Sequence, residues 1–450
     1  MMRMNQAMLD YYRCTEKHVN CELLGNGSGA PGYFKFGCDA ICYGQVSAGY
    51  AADDVSAELY DASSDVRLED GSFLIPFDPN AVVENLLRER YVSDGPAAAY
   101  GTDPRSLVRR AYYAVRPLLP VIVRKHLQRI SLRGWDKKPF PCWPVDRSVD
   151  KIFERLMMLA LQAQGMDKIP FIWFWPEGKS ACAIMTHDVE SRAGLQFCSS
   201  LMDINDSNGI KSSFQIIPGG RYYAEESILN EIRRRGFEVN VHDWNHDGHL
   251  FSNRQIFLNR AEKINHAAKK FAAEGFRSGV MYRNADWYSA FTFSYDMSVP
   301  NVGHLDPQPG GCCTVIPYFI GDILELPLTT IQDYPLFHIL RDYSIDIWKR
   351  QISMIHQGSG LISFIVHPDY ILEKRARETY CKLLAYLSAL GKERNIWLTL
   401  PREVNHWWRA RAKMKLVQKN CNWEIEGNGK ERARIAYARS DGQRIVYEIQ

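Results

Sequence analysis

The chain has 450 residues, of which 46% are apolar and 24% charged, enough to bury a sizeable core, so a disulfide scaffold, a peptide hormone and a wholly disordered chain are excluded. Lys plus Arg 55 against Asp plus Glu 52 gives a formal charge of +3, far from the basic excess of a dedicated nucleic-acid binder, so no nucleic-acid partner is expected. The 11 cysteines, an odd number with no Cys-x-x-Cys, suit reduced thiols in a cytoplasmic protein.

In chain order, residues 1–20 carry Asp10, Arg13, Glu16 and Lys17 and no apolar run of signal-peptide type, so export is not expected. Residues 1–150, with Gly-rich and small-residue patches at 25–32 and 44–52, read as an N-terminal extension. Cys14, His18, Cys21, Cys38 and Cys42 within it match no common zinc-knuckle spacing, and plain thiols are expected there rather than a second metal site. An acidic block at 51–100 precedes a basic block at 105–138. The simple reading is that the two blocks pair or solvate separate faces. The sharper one is that the basic block, interleaved with Tyr112, Leu118, Leu119, Val121 and Ile122, makes peripheral contact with a membrane of anionic lipid or with a pyrophosphate-linked glycan.

From about 179 to 404, short apolar runs alternate with helical periodicity, the pattern of βα units and a mainly parallel sheet or barrel. Strands are expected at 181–186, 212–217, 237–241, 323–328, 361–366 and 396–400. Crossover helices are expected at 225–235 and 253–274, each stopped by a glycine, Gly236 and Gly275. After Trp407 and Trp408, the residues Arg409, Arg411, Lys413 and Lys415 read as a solvated helix face. The tail, alternating through Trp423, Ile425, Ile435, Tyr437, Ile445 and Tyr447, reads as a small antiparallel β appendage. The longest apolar runs, 169–176 and 361–366, are too short to span a membrane.

Three of the expected strand ends run into ionisable residues, and in βα folds the carboxyl ends of strands are where sites are built. The first is Thr186-His187-Asp188-Val189-Glu190, with carboxylates at i and i+2; on their own these could also cap the following helix. The second, 242–249, holds His242, Asp243, His246, Asp247 and His249, and the spacing of His242 and His246 lets two imidazoles converge on one cation. Asp243, Asp247 or His249 could take the place of His246. The third ends at His367, followed by Pro368, and a lone strand-end histidine is also a common capping or core residue.

The order of these segments resembles the polysaccharide deacetylase (NodB-homology, carbohydrate esterase family 4) family over about 179–404. The resemblance implies an α/β fold: a distorted (β/α) barrel over 151–410, flanked by the extension 1–150 and the β appendage 411–450. Residue by residue it implies Asp188 as general base and a metal triad of Glu190, His242 and His246. It further implies His367 as general acid, and Arg277 as the arginine that keeps Asp188 ionised. The arginine motif stands as Arg277-Ser278-Gly279-Val280, without the family's Pro and Tyr, which bears on the backbone donor to an oxyanion; Tyr295-Asp296-Met297-Ser298 downstream is family-like. For the fourth motif, Glu325 is the nearest candidate. The implied cofactor is a divalent metal, zinc first, with cobalt, manganese or nickel as alternatives.

Acetamide hydrolysis demands an activated water, charge stabilisation for the oxyanion and an acid for the poor amine leaving group, and each demand meets a residue in this set. The expected activity is N-deacetylation of a glycan, a glycan precursor or a lipid-linked saccharide. Action on a small non-sugar amide, and a catalytically silent glycan-binding protein, are the alternatives.

Overall fold

The computed structural model describes residues 4–92, 127, 129–420, 422–442 and 444–450. The membrane-contact reading of 105–138 falls mostly outside the described residues, as do Tyr112, Leu118, Leu119, Val121 and Ile122. No helix among the described residues is long and apolar enough to cross a membrane. The chain packs as two compact units, one of Met1–Tyr91, Asp146–Lys179 and His406–Gln450, the other of Val92–Val145 and Ser180–Asn405.

In the first unit, the tail strands Ile435–Ser440 and Ile445–Ile449 form the expected antiparallel pair, and Lys168–Ile172 adds a third strand along Ile435–Ser440. A linear division at 150 and 410 would separate strands that share a ladder, so the packing cuts the chain elsewhere. Aromatic rings fill the space behind this sheet: Tyr12, Phe171 and Phe174 are fully buried, and the Tyr12 and Tyr447 hydroxyls meet at 2.9 Å. Of the basic residues after Trp408, Lys413 and Lys415 are exposed as expected of a solvated face, but Arg411 is not. Arg411 is 3% exposed, lies over the Trp408 and Phe174 rings, and donates to the carbonyls of Trp173, Ile172, Tyr11 and Tyr12. Four carbonyl acceptors satisfy the guanidinium where no carboxylate among the described residues does, which alternation in sequence could not foretell.

The second unit contains a nine-stranded, mostly parallel sheet. Its strands are β1 (Ala181–Val189), β2 (Ser212–Ile216), β3 (Glu238–His242), β4 (Gly275–Arg277), β5 (Tyr295–Asp296), β6 (Tyr318–Ile320), β7 (Ile323–Glu325), β8 (Leu361–Ile365) and β9 (Ile396–Thr399). Their order is β6-β7-β5-β4-β3-β2-β1-β8, with β9 also on β1. All six expected strands form; β4, β5 and β6, two or three residues each, are too short to leave a periodic signal. The helices α1 (Arg192–Ser207), α2 (Glu226–Arg234), α3 (Arg254–Lys270), α4 (Asp346–Gln357) and α5 (Lys374–Glu393) fill the crossovers. Ser191 caps α1 by accepting from the Gly194 N–H, and Asn253 caps α3 from the Ile256 N–H. Helix α3 stops at Lys270 rather than 274 because Ala272 turns left-handed (φ 43°) and bonds back to Lys269.

All nine residues of β1 and all five of β8 are buried, as expected of parallel strands covered on both faces. β1 is long enough to split one edge: residues 181–184 pair with β9 and 185–189 with β2, while β8 takes the other edge. The far side of the ring is closed without a ladder. Thr329 Oγ1 donates to the Leu361 carbonyl (2.7 Å) and accepts from the Ser363 N–H (2.9 Å), and Thr330 Oγ1 donates to the Ser363 carbonyl (2.7 Å). Side-chain hydroxyls here do what a strand would do in a regular barrel, and this is the distortion. Replacing Thr329 by Val leaves both β8 backbone groups buried and unpaired; a loss of about 1–3 kcal/mol in denaturant unfolding is expected, against a near-neutral Thr329→Ser.

Candidate active site

Because β8, β1, β2, β3 and β4 are consecutive neighbours, their carboxyl ends lie side by side, and the ionisable strand ends singled out in the sequence meet there. The pleat sorts the first motif: Asp188 faces the site, while His187 turns away to the Val366 carbonyl and to Asn205. Asp188 Oδ1 accepts from Arg277 Nη1 at 2.8 Å, and the same nitrogen reaches Thr186 Oγ1 at 2.7 Å. Arg277 is fully buried, with Nε on the Met297 carbonyl, so its fork cannot swing out to solvent. Burial alone would raise the Asp188 carboxyl, but the adjacent guanidinium outweighs it and holds Asp188 below the ordinary carboxylate range.

Glu190, His242 and His246 converge, offering ligand atoms that all lie within 4.8 Å of one another, the only such grouping of three among the described residues. His242 donates from Nδ1 to the Arg277 carbonyl at 3.1 Å, which fixes its tautomer and leaves Nε2 buried with no hydrogen-bond partner. Burial pushes the His242 imidazole down to about 4, so it is neutral and its lone pair is free to bind a cation. His246 Nε2 lies 2.9 Å from Glu190 Oε1. An orphaned imidazole nitrogen beside a second imidazole and a carboxylate fits a divalent cation with mixed nitrogen and oxygen ligands.

None of the competing ligands joins this grouping. Asp247 is held by both terminal nitrogens of Arg260 (2.6 and 2.7 Å), His249 is exposed, and Asp243 accepts from the Trp244 N–H through Oδ1 while its Oδ2 is buried with no hydrogen-bond partner. Gly279 makes the close approach possible, since a Cβ there would come 2.4 Å from Asp243 Oδ2 and 3.0 Å from His246 Cδ2. Beyond it Val280 and Met281 both sit in the left-handed region (φ 63° and 56°), and for β-branched Val280 this is a locally strained backbone beside the site.

His367 lies just past β8, and Asp333 grips it twice: Oδ1 pairs with Nδ1 at 2.6 Å and Oδ2 accepts the His367 N–H at 2.7 Å. Burial would lower the imidazole, but Asp333 and then Glu190 overcome it and hold His367 well above its ordinary value. Its Nε2 points at Glu190 Oε1, 3.5 Å away. Asp333 corrects the choice of Glu325 as the partner on this side. Glu325 is in register with Asp296 on the neighbouring strand, and burial pushes both carboxyls up, with repulsion from Asp296 adding to it at Glu325, so Glu325 is engaged between strands rather than on His367. Its neighbours Tyr288 and Ser298 donate to Asp296, and the Val299 N–H donates to Glu325.

Sequence reasoning also missed Asp369 and Arg221. Asp369 accepts from the Glu190 N–H (3.2 Å) and the Ser191 hydroxyl, tying the loop after β1 to the loop after β8. Arg221 donates to the carbonyls of Glu190 (3.3 Å) and His246 (2.9 Å), clamping the two loops that carry the triad. The position of Asp369, two residues after His367, was the only local signal for either.

No family model matches the sequence, and no curated protein matches it. The chain is similar to several solved structures. One is a Mycobacterium smegmatis protein assigned as a polysaccharide deacetylase, at 17% identity and a TM-score of 0.43 over 55% of this chain and 97% of that one. The peptidoglycan deacetylase PdaC from Bacillus subtilis matches at 12% identity and 0.35, over 52% and 94%. A family 4 carbohydrate esterase from Streptomyces lividans, in complex with acetate, matches at 13% and 0.31, over 49% and 92%.

Proposed function

We propose that this chain is a metal-dependent hydrolase of an acetamide bond, removing N-acetyl groups from a glycan or glycan precursor. The observation that carries the reading is a single arrangement: a carboxylate paired with a buried guanidinium (Asp188 on Arg277), an imidazole paired with a buried carboxylate (His367 on Asp333) and a nitrogen- and oxygen-donor triad at one end of the barrel, charges that favour an ionised Asp188 and a protonated His367. Amide hydrolysis needs a base and an acid in those opposite protonation states at the same pH, and a binding protein has no use for the pair.

Glu190, His242 and His246 would hold a divalent cation, with zinc best suited to this donor set, and a bound cation supplies Lewis acidity toward the amide carbonyl and water. Asp188 accepts the proton of the attacking water, because Arg277, itself bonded to Thr186, keeps it anionic and fixes its direction. His367 delivers a proton to the departing nitrogen, without which an amine anion would have to leave; Asp333 keeps that proton available and aims Nε2 into the site. The proton taken by Asp188 and the one given by His367 balance over the cycle, leaving acetate and a free amine.

The test pairs elemental analysis with acetate release from N-acetylglucosamine oligomers. Wild type is expected to carry about one divalent ion per chain after mild chelator washing, and His242→Ala/His246→Ala none, with acetate release lost in parallel. Equal metal in both proteins, or release unaffected by the double substitution, would sink the reading. Turnover of small amides without any glycan would move it to a non-sugar amidohydrolase.

A further inference from the structure

The loop after β2 makes bonds that the hydrolytic roles leave unused. Because β2 stands between β1 and β3, this loop runs between the one that carries Glu190 and the one that carries His246, and it is bonded to both. On the first side, the Tyr222 hydroxyl donates to the Val189 carbonyl at 2.6 Å and accepts from the Ile217 N–H at 3.0 Å. On the second, the Gly219 N–H donates to the Trp244 carbonyl at 2.9 Å, and a Cβ on residue 219 would itself come within 2.9 Å of that oxygen, so the approach requires glycine. Arg221 joins the two sides, with Nη1 on the Glu190 carbonyl (3.3 Å) and Nη2 on the His246 carbonyl (2.9 Å).

The two residues joined in this way are the ones whose backbone needs holding. His246 sits in the left-handed region (φ 54°), a conformation that is uncommon outside glycine and persists where its surroundings enforce it. Glu190 reaches the site on a longer arm than an aspartate would, and its peptide groups are fixed on both sides, the N–H by Asp369 (3.2 Å) and the carbonyl by Arg221. A guanidinium suits the task because its planar fork presents two donors at a fixed spacing, which an ammonium does not.

We propose that Arg221 is a positioning residue that preforms the cation site, holding the main chain of Glu190 and His246 so that their ligand atoms stand together before a metal arrives. The inference rests on the metal-triad reading above and deepens it. Ligands ordered in advance cost less to order on binding, so the clamp is read out as metal affinity. Charge acts in the opposite sense, since a guanidinium repels a nearby dication, and a neutral substitution therefore separates the two effects.

The experiment measures the Zn2+ Kd of wild type, Arg221→Lys and Arg221→Met by competition with a chromophoric chelator, together with the melting temperature of each metal-free protein. Arg221→Lys keeps the charge and loses the fork, and its Kd is expected to rise about ten-fold or more. Arg221→Met is expected to bind at least as weakly, and both metal-free proteins to melt close to wild type. The visible absorption of the Co2+-loaded protein, which reports ligand geometry, is expected to change in Arg221→Lys as well. An unchanged Kd in both variants overturns the positioning role while leaving the triad standing, and so does tighter binding by Arg221→Met, which would make Arg221 a charge that tempers the cation. Affinity that falls only in step with the metal-free melting temperature also overturns it, as the mark of a general structural tie. If wild type itself holds no Zn2+, the triad reading fails and this inference falls with it. Should neither Arg221 variant fold, Tyr222→Phe, which removes one hydroxyl from the same loop, serves in their place: a raised Kd at unchanged melting temperature supports the inference, and an unchanged Kd overturns it.

Discussion

Asp188→Asn is expected to lower kcat/KM for acetate release by at least about 10³-fold while leaving the metal content at the wild-type level. The amide preserves shape and one acceptor but cannot take a proton, and Asp188 stands outside the Glu190, His242 and His246 grouping. The same substitution removes the only carboxylate among the described residues that is bonded to the buried Arg277, and an uncompensated buried charge costs about 3–5 kcal/mol, so the melting temperature should fall as well. Loss of activity could then be mistaken for loss of fold. The double variant Asp188→Asn/Arg277→Met separates the two, since it deletes both charges: stability is expected to recover in part and activity not at all. If activity returned with stability, Asp188 would be a structural counter-ion and not the base.

Asp333→Asn should change the pH dependence more than the fold. His367 is held well above its ordinary value, burial opposing and Asp333 promoting the charged form. A general acid works only while protonated, so wild-type activity is lost as pH rises through this raised value. With Asn at 333 the largest charge favouring the imidazolium is gone and Glu190 alone is left to oppose burial, which moves the imidazole down and shifts the alkaline limb of the kcat/KM profile to lower pH. The deficit of the variant is expected to be largest at alkaline pH and to shrink as pH falls. The acidic limb, set by groups that must be deprotonated, including Asp188, is not expected to follow. A uniform loss at every pH, with the alkaline limb unmoved, would mean that Asp333 only positions the ring.

Much of this site was legible in local sequence, because the residues that build it end strands. An apolar run passing into Thr186-His187-Asp188, or Phe364-Ile365-Val366 passing into His367, is a pattern within a few residues, and the four-residue spacing of His242 and His246 is another. The missed partners carry no such mark. Asp333 lies 34 residues before His367, in a loop preceding a π-helical turn. Glu325, which ends a strand and so satisfied the same pattern, is instead paired with Asp296 across two-residue register, a contact visible only once β5 and β7 are neighbours.

What the amino-acid sequence by itself determined is therefore local: six strands, two crossover helices, the antiparallel tail and the set of ionisable residues at strand ends, each encoded by periodicity and by the residue that stops it. Tertiary structure alone decided which of those residues face one another. The ring is closed by Thr329 and Thr330, Arg411 lies inside rather than on a solvated face, the tail shares its sheet with Lys168–Ile172, and Asp333 rather than Glu325 holds His367. The reason is the same in each case. A strand or cap is stabilised by groups a few residues apart, whereas a buried charge or an open backbone edge is satisfied by whichever partner the packing brings within 3 Å, at any distance along the chain.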